Sequence, residues 1–158
     1  FIQEMQERKV TKKYIAISVG ETIGSFEINE PIGRDPKNRT KMSVRQDGKE
    51  SISFIKLINK YNGYALLDVL IETGRTHQIR VHLASKNLPI IGDSTYNSRK
   101  KIAKNSSPEL VKCIREFPRQ ALHAAHISFC HHKSKEIFEW SVQMPKDMRK
   151  LEELIIAG

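Results

Sequence analysis

The sequence predicts an α+β domain built on a mixed, mainly antiparallel sheet flanked by helices. Three observations carry this expectation. Strand-like runs outnumber helical ones. One pair of runs is joined by Asn62-Gly63, a tight hairpin signal. The helix-period segments interrupt the strands without a regular βαβ rhythm, and no internal repeat is visible. With 158 residues, 39% hydrophobic and 28% charged, the chain fits one domain with a real core.

The first strand is predicted over residues 10–19, with Tyr14, Ala16 and Ser18 on one side and Lys13, Ile15, Ile17 and Val19 on the other. Apolar residues on both sides place it inside a sheet, and Gly20 ends it. A short strand over 26–31 leads into Gly33-Arg34-Asp35-Pro36-Lys37-Asn38-Arg39, a cation-rich loop by its Gly, Pro and Asn content. Residues 51–57 alternate as a strand, and 64–71 form the most apolar strand of the chain. The period then changes. Thr76 is placed to cap a helix over 77–86, with Ile79 and Leu83 one turn apart and Asn87 just beyond its end. Residues 99–105 are basic and polar and are expected to be mobile. A short helix over 108–116, two strands over 122–129 and 137–142, and an amphipathic helix opened by Pro145 complete the chain.

Lys and Arg total 27 against 18 acidic residues, a net charge of +9. That balance favours a polyanionic partner, since each cation near a phosphate releases counterions. No apolar run approaches the roughly 20 residues of a membrane span, so no membrane partner is expected. The opening Phe1-Ile2-Gln3-Glu4 has no signal pattern and no initiator Met, which suggests an excised domain or a proteolysed product. Cys113 and Cys130 lack CxxC spacing and fit free thiols in a reducing cytoplasm.

The segment most unlike filler is Glu72-Thr73-Gly74-Arg75-Thr76-His77-Gln78-Ile79-Arg80-Val81-His82. A buried strand delivers the chain to a Gly, where backbone can approach a ligand, and a helix start follows, whose N–H groups suit an anion. Taken alone, Arg75 and Arg80 fit a solvated helix face as well as a binding site. Strand, Gly turn, helix start and polar cluster together favour an anion or RNA site.

This stretch, continued by Pro89-Ile90-Ile91-Gly92-Asp93 and Tyr96, closely resembles the signature of the RluA-type pseudouridine synthases, which modify large-subunit ribosomal RNA and some tRNAs. Lys13-Tyr14 resembles the family's Tyr-bearing motif. Pro31-Ile32-Gly33-Arg34, with Arg39 and Lys41-Met42, resembles a loop of its rRNA-directed members, and Leu122-His123-Ala124 and Met144-Pro145 resemble its closing strands. The resemblance implies a uridine isomerase without metal or cofactor, with RNA as partner and no obligate protein partner. It implies that Arg80 pairs with the catalytic aspartate, that Ile79 packs on the target uracil, and that Tyr14 stacks on that base. Arg75, His77 and Gln78 would shape the pocket wall or touch the RNA backbone, and Arg34, Arg39 and Lys41 would hold RNA. A guanidinium keeps a partly dry carboxylate ionised, opposing the pKa rise by about 1–3 units, and holds it bidentately.

One departure matters. The family's aspartate lies in an Arg-Leu-Asp context upstream of the Tyr motif, and that context is absent here. Asp35, Asp68 and Asp93 have neither its neighbours nor its order. The 158 residues are therefore expected to be the C-terminal portion of a catalytic domain, inactive alone, with Arg80 pointing at an empty place and an apolar face left exposed. A smaller departure is His131-His132 where relatives often have His-Pro.

Two rival readings remain. His123, His126, Cys130, His131 and His132 could in principle hold zinc, but strand alternation would put His123 and His126 on opposite faces. A non-catalytic RNA-binding domain is supported by the cations over 34–45 and by Arg99-Lys100-Lys101. However, Phe54, Phe117 and Trp140 form no stacking series at a recognisable spacing.

Overall fold

The computed structural model describes residues 10–158; the opening Phe1-Ile2-Gln3-Glu4 lies outside them. Eight strands and three helices occur among the described residues. A six-stranded sheet is formed by β1 (Val10–Val19), β2 (Phe26–Asn29), β5 (Ile52–Tyr61), β6 (Tyr64–Ile71), β7 (Leu122–Cys130) and β8 (Ile137–Ser141), in the order β2-β5-β6-β1-β7-β8. Every pairing in it is antiparallel. β3 (Ile32–Arg34) and β4 (Met42–Val44) make a separate hairpin in the region expected to be a plain loop. The three-residue strands are too short for alternation to register in the sequence. β1 and β6 are central, as their apolar residues on both sides require.

The two faces of the sheet are covered differently. Helix α1 (Gln78–Ser85) lies on the face that carries Ser53, since His82 and Gln78 both reach that hydroxyl. Strand register puts Ile71 and Val69, and beyond them Tyr14 and Ala16, on the same face. Helices α2 (Pro108–Glu116) and α3 (Lys146–Ala157) serve the other face at its Tyr64 end. There Tyr64 Oη meets Ser106 Oγ at 2.8 Å, and Tyr61 Oη donates to Glu152 at 3.2 Å. Leu110 and Ile114 of α2 and Met148, Leu151 and Ile155 of α3 are buried, one stripe of each helix. Ser107 caps α2 by accepting from Leu110 N–H.

Several local expectations need correction. The α1 helix starts at Gln78, with His77 as its N-cap in a left-handed conformation (φ 56°) and no side-chain cap bond, so Thr76 is not the cap. The far end behaves as expected: Asn87 takes φ 60°, Asn87 N–H bonds Ala84 O, and Leu88 N–H bonds Leu83 O. Those two bonds are the Schellman arrangement. Residues 99–105 are tied down: Lys101 N–H bonds Asn97 Oδ1, Ala103 N–H bonds Tyr64 Oη, and Lys100 Nζ bonds Arg115 O. His123 and His126 share a face, because an extra residue in β7 pairs Tyr14 with Ala124 but Lys13 with His126. Even so, no metal-holding group of His, Cys, Asp or Glu exists among the described residues.

The β7–β8 end is an apolar surface. Phe129, Phe138 and Trp140 stack with centroids 5.6–6.3 Å apart, and Trp140 is 54% exposed. β8 is exposed along its whole length and is an outer strand of the sheet.

After α1 the chain is strapped to β1. Val19 N–H bonds Pro89 O, Ile91 N–H bonds Ile17 O, and Ala121 N–H bonds Ile91 O. Gly92 follows with φ 81°, and a Cβ there would lie 2.0 Å from Arg119 O. Both features demand glycine. Gly92→Ala should therefore lose about 2 kcal/mol or more, lowering Tm by roughly 4–8 °C in thermal unfolding.

Candidate functional site

The turn between β6 and α1 is built on a buried polar knot. Gln78, 3% exposed, accepts at Oε1 from Thr73 Oγ1 (2.8 Å) and Arg75 N–H (3.1 Å). Its Nε2 donates to Ile52 O at 2.9 Å and Ser53 Oγ at 3.0 Å. Thr73 Oγ1 accepts in turn from Ile52 N–H. His82 continues the chain: Nε2 faces Glu30 O, a carbonyl that can only accept, so that nitrogen carries the proton. Its Nδ1 then accepts a hydrogen bond from the Ser53 hydroxyl at 2.8 Å. Burial lowers the His82 pKa. The knot ties the turn before α1 to β5 and fixes the helix against that strand.

On that helix the Arg80 side chain is 12% exposed, and it does not point at an empty place. Its Nε donates to Asp93 Oδ2 and its Nη2 to Asp93 Oδ1, both at 2.8 Å. Asp93 Oδ1 also accepts from Thr95 and Tyr96 N–H at 3.0 Å. The carboxylate is only 1% exposed. Burial would raise its pKa, but the Arg80 guanidinium and the two amides outweigh that and hold it below the usual range. With four donors on two oxygens, Asp93 is a structural acid rather than a free nucleophile. Its pairing escaped the sequence because a Schellman stop, a strap on β1 and the Gly92 turn all intervene between positions 80 and 93. The Arg80 Nη1 atom makes no hydrogen bond to the described residues, so a second carboxylate-binding edge remains.

Tyr96 packs beside this pair, its ring centroid 5.0 Å from the Arg80 guanidinium carbon and 5.6 Å from Lys41 Nζ. Its hydroxyl accepts from Met42 N–H (2.9 Å) and bonds His77 Nδ1 (2.8 Å). Burial and the Arg80 charge lower the His77 pKa. Arg75 donates through Nε to Glu50 O at 2.9 Å.

The basic hairpin stands next to the turn. Arg34 Nη1 donates to Arg39 O, and Arg45 Nη1 donates to Arg34 O while pairing with Asp47. A cleft of about 450 Å³ runs between them, lined by Arg34, Met42, Lys49, Gly74, Arg75 and Thr76. The structure thus brings Arg34, Lys41, Arg75, His77 and Arg80 into one region. Arg39 is exposed at the hairpin tip. Gln78 is buried in the knot, away from any pocket wall, and Ile79 is 5% exposed and part of the core. Tyr14 lies on the α1 face of the sheet, half-buried, with burial raising its pKa. No hydrogen bond or ring contact among the described residues joins it to Arg80. A small cleft of about 190 Å³ adjoins it, lined also by Lys12, Ala124 and Trp140.

Comparison with known proteins points to one family and one fold. A family model described as RNA pseudouridylate synthase matches residues 1–85. The chain is 38% identical over 156 residues to ribosomal large subunit pseudouridine synthase D of Pasteurella multocida, covering 99% of this chain and 48% of that protein. Against the protein of the same description from Escherichia coli K12 the identity is 35% over 156 residues, with the same coverage. The chain spans about half the length of the curated relatives it matches. Two solved structures share its fold. Human RNA pseudouridylate synthase domain containing 4 matches with TM-score 0.75 and 20% identity, over 98% of this chain and 66% of that one. Human RNA pseudouridylate synthase domain containing 1 matches with TM-score 0.70 and 22% identity, over 99% and 70%.

Two outcomes follow from the buried groups. Asp93→Ala strands a largely enclosed guanidinium and should lose about 3 kcal/mol, read as a Tm drop of roughly 6–12 °C. His82 is held neutral, so the unfolded chain binds a proton that the folded one refuses. Stability is full above the unfolded His value of about 6.5 and declines as pH falls towards the lowered folded value. Tm should fall between pH 7 and 5, and His82→Gln should flatten that decline; an unchanged slope would remove His82 as its cause.

Proposed function

The chain belongs to the RNA pseudouridylate synthase family, and from that premise we propose that it is the carboxy-terminal part of a catalytic domain that isomerises uridine to pseudouridine in RNA. Large-subunit ribosomal RNA is the proposed substrate, in keeping with what the similar bacterial proteins are described as acting on. The observation that carries the reading is a guanidinium, Arg80, fixed bidentately by Asp93 and lying against Tyr96 next to Lys41 of the basic hairpin, with its Nη1 edge unbonded among the described residues.

In this reading the open edge of Arg80 receives a carboxylate from a segment of the parent protein outside the described residues. Asp93 holds the other edge so that the guanidinium cannot swing away. An ionised carboxylate there can attack C1′ of the target nucleotide or stabilise an oxocarbenium-like sugar while uracil detaches. The base then turns and rejoins through C5, releasing the C5 proton. Tyr14, kept neutral by burial, serves better as a ring surface and hydrogen-bond donor than as a base. Ile79 offers only a narrow apolar rim to the base, whereas Arg75 borders the cleft and His77 faces the Tyr96 hydroxyl. Arg34, Arg39 and Lys41 carry the RNA backbone, and the target base leaves its stack before chemistry. No helix among the described residues is long and apolar enough to cross a membrane, and free Cys113 and Cys130 suit a reducing cytoplasm.

A non-catalytic RNA-binding domain is the alternative, favoured by one observation: Asp93, the carboxylate that contacts Arg80, is already held by four donors. Pseudouridine formation by the parent protein separates the two. Arg80→Lys, which keeps a charge but not the fork, should lower turnover at least about 100-fold; a parent that binds RNA and leaves every uridine unchanged would establish the alternative. RNA affinity should fall with salt, and Arg39→Ala should reduce that log–log slope by about 0.7–1. A slope that does not move removes Arg39 from the RNA surface.

A further inference from the structure

We propose that Tyr96 is a positioning residue that sets the basic β3–β4 hairpin in register with the Arg80–Asp93 pair; the proposal rests on the function just described. Tyr96 is held at three levels. Its backbone N–H is fixed by Asp93 Oδ1 at 3.0 Å. Its ring lies against the Arg80 guanidinium at 5.0 Å. Its hydroxyl accepts from Met42 N–H, 54 positions away in sequence. Among the hydrogen bonds of the described residues, that last one alone joins the 35–44 stretch to the 93–97 turn.

The hydroxyl completes its bonding through His77. Accepting from Met42 leaves its own proton free to donate to His77 Nδ1 at 2.8 Å, so one phenol satisfies a strand amide and the residue that starts α1. Lys41, one residue before Met42, brings its ammonium to 5.6 Å from the same ring. One side chain therefore meets a cation of the proposed RNA-holding hairpin and the proposed catalytic guanidinium. A strand of RNA that draws Arg34, Arg39 and Lys41 towards its phosphates moves Met42 with them, and Tyr96 passes that placement to the helix start and to Arg80.

The test is Tyr96→Phe in the parent protein. It keeps the ring against Arg80 and removes only the hydroxyl tie. The hydroxyl makes two hydrogen bonds, and losing the one to Met42, which ties the hairpin, corresponds to about a fivefold effect. KM for RNA should rise about five- to tenfold with kcat within about threefold of wild type, because the guanidinium stays in place. The salt slope should not change, since no phosphate contact is lost; in Arg39→Ala it should. Hydrogen exchange should accelerate over 35–44 and remain as in wild type in β1 and β6. A purely structural role would lower Tm and leave KM and local exchange unmoved, and that result overturns the proposal. If the variant does not fold, wild-type protein decides: RNA should slow exchange at Met42 and over 93–97 together, and slowing of one without the other overturns it. Absence of pseudouridine formation by wild type would sink the activity reading, while the exchange coupling still tests Tyr96.

Discussion

The bidentate bond between Arg80 and Asp93 is the constraint around which the site is arranged. A guanidinium with little access to water must be paired, and here its partner is delivered by backbone machinery rather than by proximity in sequence. The Schellman stop at Asn87 ends the helix on time, Pro89 to Ile91 lie along the end of β1, and Gly92 turns the chain beneath the helix. Only then does Asp93 meet Arg80, with the Thr95 and Tyr96 amides holding its Oδ1 as well. Each upstream element is therefore in the service of one ionic contact.

A second network does for the helix start what the first does for the guanidinium. Thr73, Gln78, Ser53 and His82 exchange hydrogen bonds between the β6 end, β5 and α1 without an exposed member. Buried polar networks of this kind are worth having only when every member is satisfied. Here the carbonyls of Ile52 and Glu30 terminate the chain at both ends. The result is a rigid base from which Arg75 reaches the cleft and His77 the Tyr96 hydroxyl, while Gln78 remains inside.

Much of this was legible in the sequence, for definable reasons. β6 and α2 were found to the residue because a strongly apolar run and a Ser-Pro-Glu start leave little choice. The Gly74 to Arg80 stretch stood out because polar residues crowded a predicted helix start. What stayed hidden depended on three-dimensional partners. The helix begins at Gln78 behind a left-handed His77 with no side-chain cap, while Gln78 turns its own amide back to the preceding turn and to β5. A bulge in β7 reversed the facing of His126 relative to His123, and one extra residue leaves no mark on composition. Asp93 was visible as part of a Gly-Asp-x-x-Tyr turn, yet its contact with Arg80 required knowing where the intervening loop was anchored. Gly before Asp, with Tyr three residues on, was the signal that could have found it.

The outer strand β8 has a consequence of its own. It ends the sheet with a row of main-chain donors and acceptors facing outward, backed by the Phe129, Phe138 and Trp140 rings. Such a border accepts any extended polypeptide of matching pitch, because ladder bonding reads spacing and direction rather than side-chain identity. The ring cluster adds the missing selectivity, rewarding an incoming strand that brings its own apolar side chains to that face.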